Sequence, residues 1–113
     1  MAITKLKLSG STDGKGIKVA ATATAGTTLH TAHATNLDEV YVYLVNTSAA
    51  PVKATIEWGE TTAPDGNIEQ TIAPEDGLVL VIPGLLLTNS LVVRCFASVA
   101  DVLVAHGYVH RIS

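Results

Sequence analysis

Residues 52–58, Val52-Lys53-Ala54-Thr55-Ile56-Glu57-Trp58, decide the fold class. Val52, Ala54, Ile56 and Trp58 recur at every second position while Lys53, Thr55 and Glu57 fill the gaps, the period of a strand with one apolar and one wet face. A slip of one residue would expose the whole apolar set, so the register is firmly specified. Immediately upstream, Glu39–Val45 (EVYVYLV) is rich in β-branched and aromatic residues, and the turn formers of Asn46–Pro51 join the two runs. The expectation is an antiparallel hairpin, Glu39–Val45 against Val52–Trp58, at the centre of the domain.

Working outward, strands are predicted at Ile3–Leu8, Ile17–Thr24, Thr27–Ala32, Ile68–Ile72, Leu78–Ile82, Leu91–Ala97 and Val102–Ile112. Nowhere do ten residues combine a 3.6-residue period with a cap and a stop signal, so no helix is expected. The alanines of Ala20–Thr35 favour helix, but the interleaved threonines and Gly26 favour strand, turn, strand. Seven or eight strands imply an all-β domain: a two-sheet antiparallel β-sandwich, jelly-roll or immunoglobulin-like, or a small β-barrel.

The 113 residues are 48% hydrophobic and carry one cysteine and a formal charge of −3, which excludes disorder and a disulfide scaffold. No apolar run reaches the roughly 20 residues of a membrane helix, and the first 16 residues lack the apolar stretch of a secretory signal. Charge is uneven: Lys5, Lys7, Lys15 and Lys18 face Asp13 alone in the first 18 residues, whereas the remainder holds three basic and nine acidic groups. The division is an extended cationic arm over 1–16 and a sandwich over 17–113. An acidic body without a basic aromatic stripe argues against nucleic acid as a partner. Lysines alternating with Ile3, Leu6 and Leu8 also fit the wet side of an edge strand.

Leu78–Ile82 and Leu91–Phe96 are apolar at odd and even positions alike, so a two-layer sandwich leaves one face of each uncovered. Only 15% of the chain is charged against an ordinary value of about 25%, which points the same way. A second subunit is the expected cover, with Val79, Val81, Val92 and Phe96 as candidate interface residues; a closed barrel is the alternative.

Catalytic chemistry has no signature in these residues. His106 and His110 would share a strand face roughly 13 Å apart, too far to ligate one ion, and His30 and His33 would point to opposite faces. The Asp65–Glu69 segment imitates the start of a calcium loop but lacks its Gly and its bidentate Glu. Gly14-Lys15-Gly16 lacks phosphate-loop spacing. Cys95 lies in an apolar strand as a packing residue, no serine stands in a nucleophile elbow, and Asn46-Thr47-Ser48 reads as a turn although it matches a glycosylation sequon. No cofactor is expected.

The run Asp38–Ser98, with IEWG at 56–59 and EDGLVLVIPGLLL at 75–87, together with the terminal GYVHRI at 107–112, resembles small structural proteins of tailed bacteriophage virions, namely capsid decoration or cement proteins. The resemblance extends from about Gly10 onward. It implies a non-enzymatic homo-oligomer, often a trimer, made in the host cytoplasm and seated on the capsid exterior against the major capsid protein. Lys5, Lys7, Lys15 and Lys18 are then the candidate capsid contacts. A neck, head-fibre or tail position is the runner-up, and a carbohydrate-binding sandwich is the alternative of another class.

Overall fold

A computed structural model describes residues 1–113 as nine antiparallel strands in two sheets, with no helix. The strands are β1 (Ile3–Lys7), β2 (Ile17–Lys18), β3 (Thr27–Thr31), β4 (Leu37–Asn46), β5 (Val52–Trp58), β6 (Asn67–Ile72), β7 (Val79–Leu87), β8 (Val92–Ala97) and β9 (Leu103–Ile112). One sheet runs β1-β9-β4-β7, with β2 also on β9; the other runs β3-β8-β5-β6. The protein is a β-sandwich.

Inward positions follow the period of two. Val40, Val42 and Leu44 of β4, with Leu103, Ala105 and Val109 of β9, meet Val52, Ala54 and Ile56 of β5 and Val93, Cys95 and Ala97 of β8 across the core.

The predicted central hairpin does not form. β4 pairs with β7 and β9, and β5 pairs with β6 and β8, so Asn46–Pro51 is an arch that carries the chain from one sheet to the other. Alternation reports which residues share a face and is silent about which strand lies alongside, so it fits both arrangements. The arch is held by Asn46, whose buried Nδ2 donates to Ala50 O and Ile72 O while Oδ1 accepts from Ser48 N.

Two other expectations change. β7 runs past Pro83 to Leu87, because it is an edge strand and an edge needs no N–H from proline on its free side. Gly84, at φ 97°, allows the bulge there, and the Tyr41 ring lies over it. The Ile17–Thr24 strand shrinks to Ile17–Lys18, after which Ala20–Gly26 crosses as an irregular segment.

Segment 1–16 is part of the sandwich and not a separate arm. β1 and β2 lie one after the other along the same edge of β9, β1 on Tyr108–Ile112 and β2 on Val104–Ala105. Between them Leu8 is buried in the core and Gly10 N donates to Leu29 O of β3. The N-terminal segment therefore closes one side of the sandwich by touching both sheets.

Candidate functional site

The outer face of the five-stranded sheet is the most distinctive surface of the molecule. Register places Glu39, Tyr41 and Tyr43 of β4 beside His110, Tyr108 and His106 of β9, and beside Leu86, Pro83 and Leu80 of β7. Tyr41 and Tyr108 stack with ring centroids 4.6 Å apart, and His110 meets both rings. The Tyr41 hydroxyl donates to Glu39 Oε1 at 2.9 Å, and His110 Nδ1 stands 3.3 Å from the same oxygen. That bond to Glu39, with burial and neighbouring charge adding to it, raises the Tyr41 hydroxyl above its ordinary pKa.

Flanking this aromatic centre, Leu80 is 44% and Leu86 49% exposed, and Leu78, just before the strand, is 59% exposed. Leu37 and Ile3, at the ends of β4 and β1, are also exposed. The opposite edge is basic. Lys5 and Lys7 lie opposite His110 and Tyr108, and Lys18 lies opposite Val104, so all three project from the outer face. Lys15 stands exposed in the turn between β1 and β2, and Lys18 reaches Asp101 at 4.0 Å. Four lysines scattered through the N-terminal sequence thus border one edge of an apolar sheet face.

The four apolar candidates are not brought together. Val81 is only 8% exposed and belongs to the core, and Val79 packs against that core. The bulges in β7 break the simple alternation that placed both outside, and the outward residues are Leu78, Leu80 and Leu86. Val92 and Phe96 lie half-buried on the outer side of the other sheet, which also carries Lys53, Glu69 and Arg94. The two outer faces therefore differ: one joins tyrosines, histidines and exposed leucines to a lysine edge, and the other sets Val92 and Phe96 among Lys53, Glu69 and Arg94.

The buried polar groups are occupied within the fold. His30 is fully buried: its Nδ1 accepts Ser9 N–H at 3.0 Å, and its Nε2 lies 2.8 Å from Asp38 Oδ2. Arg111 grips the same carboxylate through Nε at 2.8 Å and Nη2 at 3.0 Å. Burial by itself raises the Asp38 pKa, but the bonds from Arg111 and His30 outweigh it, and the net lies below the ordinary value. Ser9, His30 and Asp38 have the residue types of a nucleophilic triad without its geometry. The imidazole takes the Ser9 backbone N–H, while Ser9 Oγ accepts from Thr31 N at 2.7 Å.

Glu57, assigned to a wet face by alternation, is 1% exposed. Its carboxylate accepts Thr24 Oγ1 and Gly26 N–H, both at 2.6 Å, which ties Ala20–Gly26 over the four-stranded sheet. Burial, with the Glu57 charge behind it, pushes the Cys95 thiol up to about 12, so it is protonated and inert at neutral pH. Asn46 in the sequon is buried with both amide hydrogens donated. His33 Nδ1 caps the turn at Thr35 and Asn36, and no three His, Cys, Asp or Glu side chains converge on a point that would hold a metal ion.

Sequence reasoning found the lysines but missed Glu39, Tyr41, Tyr108 and His110 as one cluster. The signal was present, since these residues alternate within single strands, but the β4–β9 pairing that unites them spans more than sixty residues of sequence. No known protein family matches this chain, and a search of curated proteins finds no similar sequence.

Proposed function

We propose that this protein is a non-enzymatic structural component of a tailed bacteriophage virion, a decoration or cement protein that assembles as a homo-oligomer, most simply a trimer, on the capsid exterior. The observation that carries the reading is the outer face of the five-stranded sheet. Leu78, Leu80 and Leu86 stand exposed beside the stacked Tyr41–Tyr108 pair, and large apolar side chains gathered on one face of a small domain mark an interaction surface. Tyrosines with an apolar body and a bonded hydroxyl suit the centre of such an interface.

The face divides the work. Its leucine edge on β7 suits a second copy, and its lysine edge on β1 and β2 suits an acidic surface of the major capsid protein. The virion setting is the part of the proposal that rests on the resemblance read from Asp38–Ser98 and Gly107–Ile112 alone.

The test is attachment. Capsids stripped of the protein are titrated with wild type and with a variant carrying Gln at positions 5, 7, 15 and 18, and occupancy is read by sedimentation. The variant is expected to lose most occupancy at low salt and to approach wild type at high salt, where exposed charges more than about 10 Å apart are already screened. Equal occupancy at low salt would assign attachment to the apolar strands. Particle reconstruction that places the density at the neck or tail would move the protein within the virion.

A further inference from the structure

The cluster that joins Ser9, His30, Asp38 and Arg111 has a property that its packing role does not require. It lies where the two sheets meet: His30 comes from β3 of one sheet, Asp38 and Arg111 from β4 and β9 of the other, and Ser9 from the segment that crosses between them. The hydrogen bonds fix the tautomer. Nδ1 accepts an N–H from Ser9 and so carries no hydrogen, and Nε2 therefore holds the proton it shares with Asp38. We propose that His30 is a pH-sensitive latch, which ties the Ser9 junction to the four-stranded sheet when the imidazole is neutral and releases it when the imidazole is protonated.

A second proton can enter only at Nδ1, where it would meet the Ser9 N–H head on at a heavy-atom distance of 3.0 Å. The bond to Asp38 has no such conflict, because Nε2 donates in both states. Protonation thus keeps His30 on Asp38 and forces Ser9 away. The charged groups around the ring reinforce the outcome. Asp38 on β4 is already neutralised by Arg111 on β9, Lys5 and Lys7 of β1 border the same groove, and Val93, opposite on β8, is uncharged. His33 contributes only its backbone N–H to Asp38. A further positive charge therefore enters a site whose negative charge is spent.

Room for the movement exists. A shallow groove of about 380 Å3 lies against His30, Arg111 and Ser9, beside Lys5, Leu6 and Lys7. Through it water can accept a hydrogen bond from the protonated Nδ1 once Ser9 has withdrawn. Two bonds depend on the position of Ser9, Thr31 N–H to Ser9 Oγ and Gly10 N–H to Leu29 O, so all three links to β3 loosen together. The ladder between β1 and β9 does not involve His30 and remains. Acid thus unties the N-terminal strand from one sheet and leaves it on the other.

The experiment uses the full chain labelled with nitrogen-15, and histidine is the side chain whose charge ordinarily changes between about pH 5 and 8. Amide exchange at Ser9, Gly10 and Thr31, corrected for intrinsic rates, is compared at pH 7.5 and pH 5, with the His30 ring nitrogens observed directly. The latch predicts an unprotonated Nδ1 at pH 7.5, a doubly protonated ring at pH 5, and a loss of protection at the three amides of about tenfold, with β9 amides unchanged. The His30→Gln variant, with an acceptor and a donor but no titration, should show no such change. A ring that protonates while Ser9 keeps its protection would overturn the proposal. So would a ring that stays neutral to pH 5, or an equal loss of protection in His30→Gln. The ring nitrogens and the three amides of wild type together decide the matter even if the variant does not fold.

Discussion

Asp38 is the hub of the buried polar cluster where the two sheets meet. It accepts from Arg111, His30 and the His33 backbone, and every buried side-chain polar atom in the protein has a partner. Its carboxyl titrates below the ordinary value in the folded state because Arg111 and His30 outweigh burial. A depressed folded pKa stabilises the fold above the unfolded-state value, near pH 4, and that contribution is lost as pH falls through the folded value. Asp38→Asn should therefore cost about 2 kcal/mol at pH 7, since Arg111 loses its counter-charge, and should flatten the dependence of stability on pH below about pH 4. Urea midpoints at pH 7 and pH 3 for both proteins measure this. An unchanged pH slope in the variant would mean that other carboxylates carry the acid sensitivity.

At the scale of strands, β1 is the instructive case. It reads in sequence as a cationic arm, because lysine at alternate positions is a solvent signature whether the chain is free or paired. Leu6 and Leu8 were the sign of packing: Leu8 is buried and Leu6 lies against the core. Removing Met1–Asp13 strips this edge from β9 and opens the core at Leu8. Loss of one buried leucine alone costs about 2–5 kcal/mol, a large part of a small domain's stability. The truncated chain is expected to lose cooperative unfolding by circular dichroism, and a melting temperature within a few degrees of the intact protein would return 1–16 to the status of an arm. Other elements were legible to different degrees for the same kind of reason. The bounds of β5 follow from alternation between a polar turn and Gly59, whereas Glu57 looked wet because the segment that covers it, Ala20–Gly26, has no period to read. Pro83 looked like a stop because only the pairing order shows that β7 is an edge. Candidate sites suffered likewise: the lysines were visible singly, and the tyrosine cluster needed a pairing that no local pattern encodes.

For the whole molecule, the two outer faces of the sandwich differ, and the proposed assembly rests on that difference. The four-stranded sheet is polar outside, with Lys53 and Glu69 in an exposed ion pair at 2.9 Å, and suits water. The five-stranded sheet carries tyrosines and exposed leucines outside, and the proposed oligomer would bury them. The most direct measurement is the mass in solution of wild type and of a Leu80→Lys, Leu86→Lys double variant, by light scattering coupled to size exclusion at micromolar concentration. Both leucines are outward on an edge strand, so the variant should fold and melt close to wild type. Wild type is expected to be an oligomer, a trimer in its simplest form, and the variant a monomer near 11.7 kDa. A wild-type monomer, or an oligomer that the two lysines leave intact, would contradict the proposed assembly.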